Sequence, residues 1–307
     1  MPLPKREGWK NDGKPQQTDN VDAKTQEIKS QMPSTAPTAP TMQNTTKRGF
    51  VALIYGDTGA GKTYLSMTFP PPIYVIDTEN RAVNTWKGDF KDKEINIIEP
   101  MVLRMDLENT NGTLEDIFDE TASLNAVTAA LTDYVKKVRE KKIVGGTIII
   151  DSVTDIWSWV QEWTIARLAT MTYKESKTGE VKQRADADTQ QIMQQFDWKI
   201  ANKKHESIIF ALRALITEGI FVVFTAREKA VPEYVNKGVA AQTRDKVRCN
   251  KELPSRCDLV IYLTKRGGEY LAYFDKFGAK STAIPPIKEI TFDKIMELDP
   301  LPFLVSK

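Results

Sequence analysis

The chain of 307 residues is 41% hydrophobic and 27% charged, ordinary values for a folded globular protein and enough for one large domain or two small ones. A formal net charge of +2 excludes a globally basic protein, so any affinity for nucleic acid must come from local patches. No run approaches the length of a membrane span and the N-terminus is too polar for a secretory signal, which points to a cytoplasmic protein; Cys249 and Cys257 lack zinc-site spacing and are expected as two reduced thiols.

Residues 1–48 are rich in Lys, Gln, Asn, Thr and Pro and almost free of large apolar side chains, so they are expected to be a disordered arm. Folded sequence begins at Gly49. The apolar run Phe50 to Tyr55 predicts a strand, and Gly56-Asp57-Thr58-Gly59-Ala60-Gly61-Lys62-Thr63 follows it and opens a short helical pattern. This is the P-loop signature in its required strand-loop-helix context. Gly56, Gly59 and Gly61 allow a turn tight enough for successive amide N–H groups to converge on one anion. Lys62 is expected to reach the β- and γ-phosphates of a nucleotide, and the Thr63 hydroxyl to be a ligand of the bridging Mg²⁺.

The helix must end before Pro70-Pro71-Pro72, and Ile73 to Asp77 predicts a second strand, which makes a βαβ unit of a mostly parallel sheet. Glu79 lies just beyond that strand, at the sheet edge where open α/β folds bind ligands. A strand is predicted at Ile95–Ile98 in an otherwise irregular segment, then a long helix from about Leu114 to Lys141. Thr147 to Ile150 closes on Asp151, the pattern of a fully buried strand that delivers a carboxylate to the same edge, where it would hold Mg²⁺ directly or through water.

The next helix carries Trp157, Trp159 and Trp163, expected in the core. Residues 173–188 are predicted to be a mobile basic loop with Lys174, Lys177, Lys182 and Arg184. Two helical stretches follow, around Ile192–Ile200 and Ile208–Ile216, with His205 expected in an exposed Lys-rich turn between them. A strand at Ile220–Thr225 brings Thr225 and Arg227 to the ligand edge, positioned to sense a γ-phosphate. Residues 229–250 are predicted to be a second basic loop, with Lys237, Arg244, Lys246 and Arg248. Leu259–Leu263 and Tyr270–Phe274 flank Lys265-Arg266-Gly267-Gly268 and form a predicted β-hairpin; residues 286–307 are a tail with a short helix near Phe292–Leu298.

The chain resembles the RecA-like ATPases, most closely the small phage-encoded nucleotide-binding proteins related to the RecA and RadA recombinases. Six motifs over residues 49–285 carry the resemblance in order: Gly56 to Thr63, Val75 to Glu79, Ile149 to Ser152, Phe196-Asp197-Trp198, Val222 to Ala226, and Cys257 to Val260. It implies an α/β RecA-like P-loop NTPase fold, with a mostly parallel central sheet covered by helices and a C-terminal hairpin. It also implies that Glu79 polarises the water attacking the γ-phosphate, that the loops 173–188 and 229–250 bind single-stranded DNA, and that copies assemble head to tail. Lys276, Lys280 or Arg256 would then act as a finger on a neighbouring site. The sequence departs from those phage proteins at Arg227, where they often carry histidine, and near Lys276-Phe277-Gly278, where they often carry a Lys-x-Arg pair.

The expected activity is ATP hydrolysis stimulated by single-stranded DNA, in phage-type recombination or annealing within the host cytoplasm. A nucleotide-dependent loader or assembly factor acting through protein partners is the alternative, and a small-molecule kinase a third reading. No guanine-reading Asn-Lys-x-Asp element is visible, which favours ATP.

Overall fold

The computed structural model describes residues 48–104, 117–174, 181–183, 195–233, 242–278 and 284–298. In chain order these form β1 (Val51–Gly56), α1 (Lys62–Met67), β2 (Ile73–Asp77), α2 (Ala82–Asp89), β3 (Ile95–Ile98), α3 (Glu120–Arg139), β4 (Thr147–Asp151) and α4 (Val153–Ala169). There follow β5 (Thr172–Lys174), β6 (Val181–Gln183), α5 (Gln195–Arg213), β7 (Phe221–Glu233), β8 (Gln242–Arg248), α6 (Leu253–Arg256), β9 (Leu259–Arg266), β10 (Glu269–Phe277), β11 (Ile287–Lys288) and α7 (Phe292–Glu297). The arm predicted for residues 1–48 lies, apart from its last residue, outside the described residues.

The central sheet runs β11-β10-β9-β1-β7-β4-β2-β3, with β8 paired to β7. From β9 to β3 every neighbouring pair is parallel, while β10 and β11 add an antiparallel edge. This is the mixed α/β architecture that the buried apolar runs predict. Alternate residues of each central strand enter two separate cores. Leu53, Ile148, Ile150, Val222 and Phe224 face α3, α4 and α5, whereas Phe50, Ala52, Ile54, Ile149 and Val223 face α1 and the C-terminal segment. Burial of one such Ile or Phe side chain contributes about 2 kcal/mol, which is why these strands read as unbroken apolar runs. The C-terminal segment packs closely on its face of the sheet: Ile295 is fully buried, and Phe292 joins Phe50, Phe69 and Phe221 in one aromatic cluster.

The structure corrects several expectations. The helix predicted from Leu114 begins at Glu120, where the Asp119 side chain accepts from Ala122 N at 2.7 Å and caps it; residues 105–116 lie outside the described residues. Helix α2 was not foreseen, because Ala82 is its only buried residue and the amphipathic signal is weak. The segment 229–250 is not simply a loop. Strand β7 continues to Glu233 and pairs antiparallel with β8, a ribbon hidden in the sequence because charged residues interrupt any apolar alternation. Likewise β5 and β6 pair antiparallel inside the segment read as the first basic loop. Lys177, Arg184, Lys237 and Lys280 lie outside the described residues.

Among the described residues the two helical stretches predicted on either side of His205 merge into one helix, α5, followed by a 3-10 turn at Ala214–Glu218, and His205 is only 2% exposed. Its ring meets Trp157 edge-on at 5.2 Å between centroids. Burial, and secondarily the nearby Arg256 charge, pushes its pKa from 6.5 down to about 4. The unfolded chain therefore takes up this proton near 6.5, while the folded chain resists it until about 4. Stability is expected to fall by about 3 kcal/mol from this residue as pH drops through that window. Urea denaturation of wild type and His205→Met across the window should show the variant lacking that part of the slope.

Candidate active site

The carboxyl ends of β1, β4 and β2 lie in register with the middle of β7, which places the sequence-predicted residues along one edge: Gly56 pairs with Arg227, and Asp77 with Asp151. At the end of β1 the chain turns through Gly56, Asp57, Thr58, Gly59 and Ala60 to Gly61, whose φ of 91° puts it in the left-handed region at the N-cap of α1. A Cβ at Gly56 would lie 2.0 Å from the Leu263 carbonyl oxygen of β9, so only glycine lets the two strands approach. A Cβ at Gly59 would meet nothing within 4 Å, which leaves the mouth of the loop open. Asp57 closes its own turn by accepting from Thr58 N at 2.7 Å.

Lys62 folds over this loop, its Nζ donating to the carbonyl oxygens of Gly56 at 3.0 Å and Asp57 at 2.8 Å. Burial lowers its pKa, while Asp151, Glu79 and Asp57 oppose that effect. Thr63, in the first turn of α1, donates its hydroxyl to Asp151 Oδ2 at 2.6 Å, and Thr225 of β7 donates to Asp151 Oδ1. Asp151 is 4% exposed; burial raises its pKa, the two hydroxyl hydrogen bonds hold it down, and Glu79 and Asp77 raise it further.

Glu79 is fixed by the turn after β2. Buried Asp77 accepts from Glu79 N at 3.1 Å and from Ala82 N at 2.7 Å, tying the turn to the start of α2. Thr78 laces this turn to β4: its N donates to Asp151 O at 2.6 Å, and its hydroxyl accepts from Ser152 N at 2.8 Å. Arg227 grips Glu79 Oε1 through Nε at 3.0 Å and Nη2 at 2.9 Å, and its Nη2 also lies 3.1 Å from Asp155. Asp155 is the member of this edge that sequence reasoning missed. It accepts from the Thr78 and Ser152 hydroxyls, both at 2.8 Å, and so holds the ends of β2 and β4 and the Arg227 side chain together. The available signal was its spacing, four residues after Asp151 and in the first turn of α4.

Of the proposed finger residues, Arg256 pairs with Glu206 and lies over the Phe210 ring at 4.7 Å, while Lys276 donates to the Ser255 and Cys257 carbonyls. Both have partners within their own chain.

These residues suit a nucleotide and its cation. A partly desolvated ammonium held over a glycine-rich loop fits a polyphosphate, and the hard oxygens of Thr63 and Asp151 suit Mg²⁺. Among the described residues no cluster of three or more His, Cys, Asp or Glu is placed to hold a metal ion.

A P-loop at the carboxyl edge of a mostly parallel sheet, facing an acid at the end of a third strand, defines a nucleotide-binding P-loop ATPase. The chain belongs to the AAA domain family, which matches residues 48–282. No curated protein matches it. Among solved structures it is similar to a KaiC-like protein from the hyperthermophilic archaeon Pyrococcus horikoshii OT3, at 14% identity and a TM-score of 0.38, over 78% of this chain and 85% of that one. Among the described residues no helix is long and apolar enough to cross a membrane.

The loop's glycines should separate on substitution. Gly56→Ala is expected to cost about 3 kcal/mol or more, because a backbone oxygen of β9 must move. Gly59→Ala should cost about 1 kcal/mol, from its left-handed backbone alone. Urea midpoints of the two variants check this directly.

Proposed function

We propose that the chain hydrolyses ATP with Mg²⁺ and couples hydrolysis to single-stranded DNA in phage-type recombination or annealing, working as a head-to-tail assembly. The observation that carries the ATPase part is the convergence of Lys62, Thr63, Asp151, Glu79 and Arg227 on one sheet edge. Phosphoryl transfer asks a protein mainly for positioning and charge neutralisation. Lys62 and the loop amides would hold the β- and γ-phosphates, Thr63 and Asp151 would hold Mg²⁺, and that ion would supply charge neutralisation when bound. Glu79, oriented by Arg227, polarises the attacking water. Arg227 and Thr225 stand where the γ-phosphate would be sensed. A neighbouring copy would supply a cation from Lys276, Lys280 or Arg256.

The DNA part is supported by a cleft of about 810 Å³ lined by Trp157, Trp198, Lys199, Lys203, Asn250 and Lys251. Trp198 is 38% exposed, with its ring 6.1 Å from that of Trp157. Lys246 and Arg248 are exposed on β8, which leads into the cleft. Aromatic faces beside cations suit single strands of any sequence, because every base can stack and every phosphate carries charge. Asn250 fixes the rim by donating to Asn202 of α5 at 2.8 Å. Of the two loop segments named from the sequence, 173–188 and 229–250, the second ends at Cys249 and Asn250, which line this cleft.

Two results are expected. Lys62→Ala should abolish ATP hydrolysis; retained hydrolysis would refute the P-loop assignment. Single-stranded DNA should bind with an affinity that falls as salt rises. Trp198→Ala should weaken that affinity about tenfold with little change in salt slope. Replacing Lys237, Arg244, Lys246 and Arg248 by Ala should flatten the slope. Absence of salt-dependent DNA affinity, with ATP-dependent capture of a protein partner instead, would favour a loader or assembly factor.

A further inference from the structure

Beside the P-loop lies a cavity of about 600 Å³ that none of the residues assigned above explains. Gly61 and Tyr64 wall it on the P-loop side, Tyr270 on the hairpin side, and Ile290, Thr291 and Lys294 on the side of the C-terminal segment. Tyr64 and Tyr270 are 44% and 39% exposed. The Tyr270 ring approaches Gly61 so closely that a Cβ there would sit 3.7 Å from it, so the ring abuts the start of α1 itself. Tyr64 rests against Phe90 at 5.0 Å between centroids, and Tyr270 carries Lys265 Nζ 4.9 Å from its ring centre. Both rings are thus supported from behind while lining the cavity.

The third wall is held firmly. Phe292 N donates to Thr68 Oγ1, just past the end of α1, at 2.8 Å. Lys294 Nζ donates to the carbonyls of Lys288 and Glu289 at 3.1 and 2.8 Å, bracing the turn between β11 and α7. These residues lie beyond the 48–282 span matched by the AAA domain family, so this wall belongs to the chain's own C-terminal segment.

We propose that this cavity is the nucleoside pocket: the base packs against Tyr64 and Tyr270, and the segment from Glu289 to Lys294 closes over it. The inference rests on the P-loop holding the phosphates. With the β- and γ-phosphates at Lys62 and Thr63, the rest of the nucleotide must leave the loop past Gly61 and Tyr64, where the cavity begins. Its volume falls in the range of small-molecule sites, and its walls are mainly aromatic and aliphatic with a few polar groups, as a base and ribose require. Nucleotide binding and docking of the C-terminal segment are therefore coupled, each stabilising the other.

The test compares Mg²⁺–ATP with inorganic tripolyphosphate, which offers the same anionic groups without a base, by calorimetry on the full chain. Tyr270→Ala and Tyr64→Ala should each weaken ATP about tenfold and leave tripolyphosphate unchanged. Tyr270→Phe should restore ATP affinity. In wild type, ATP should slow amide hydrogen exchange across Ile287–Glu297, and tripolyphosphate should not. Wild-type ATP affinity in both alanine variants, equal loss of both ligands, or unchanged exchange in the C-terminal segment would overturn the pocket while leaving the P-loop reading intact. Failure of wild type to bind either ligand would overturn both.

Discussion

The buried carboxylate of Asp151 is the constraint around which the site is built. Strands β1 and β4 are not neighbours, since β7 lies between them, yet Asp151 joins all three elements by accepting from Thr63 after β1 and from Thr225 on β7. An ionised carboxyl at this depth carries a desolvation cost of several kcal/mol. Two hydroxyl donors offset part of it, and a divalent cation beside the nucleotide would offset more. The hydrogen bonds of Thr78 and Asp155 extend the same linkage to β2, so that Glu79 and Asp151 keep a fixed relation although they arrive on different strands. The arrangement needs no mobile element to bring the acids together.

The strands and the P-loop were legible because burial on both faces writes an uninterrupted apolar run that must stop at a glycine or an acid. Val51 to Gly56 and Thr147 to Asp151 are such runs, and their last residues mark the working edge. Polar structure was less legible. The β7–β8 ribbon has a charged composition, and its pairing depends on a register set by tertiary contacts, which hydrophobic periodicity does not encode. His205 looked exposed because lysines precede it in sequence, but the helix turns it inward against Trp157 while Lys203 faces outward and the half-buried Lys204 lies over the Trp163 ring. Asp155 was hidden for a different reason. Its function lies entirely in what it accepts from β2, β4 and β7, and no local pattern announces three such partners.

Strand β7 joins the two ends of the proposed function. Thr225 and Arg227 place one stretch of it in the edge proposed for hydrolysis, and its ribbon partner β8 leads to Cys249, Asn250 and Lys251 at the tryptophan cleft. Thr154 bridges the two strands, accepting from Arg227 N at 3.0 Å and donating to Arg248 O at 2.7 Å. A shift of Arg227 on loss of a γ-phosphate would thus be felt within one or two hydrogen bonds at the start of that cleft. On another side of the P-loop, the C-terminal segment and hairpin line the cavity proposed for the nucleoside, so a nucleotide bound there would be framed by elements from both ends of the folded chain.

The most direct test of a hydrolytic site at this edge is a paired measurement on Glu79→Gln: ATP affinity and single-turnover hydrolysis. The substitution keeps the shape of the side chain and removes the charge that orients water. Binding within a few-fold of wild type with hydrolysis slowed about a hundredfold or more is the expected result. Hydrolysis at the wild-type rate would contradict the assignment of Glu79, and with it the account of how Asp77, Thr78 and Arg227 serve the chemistry.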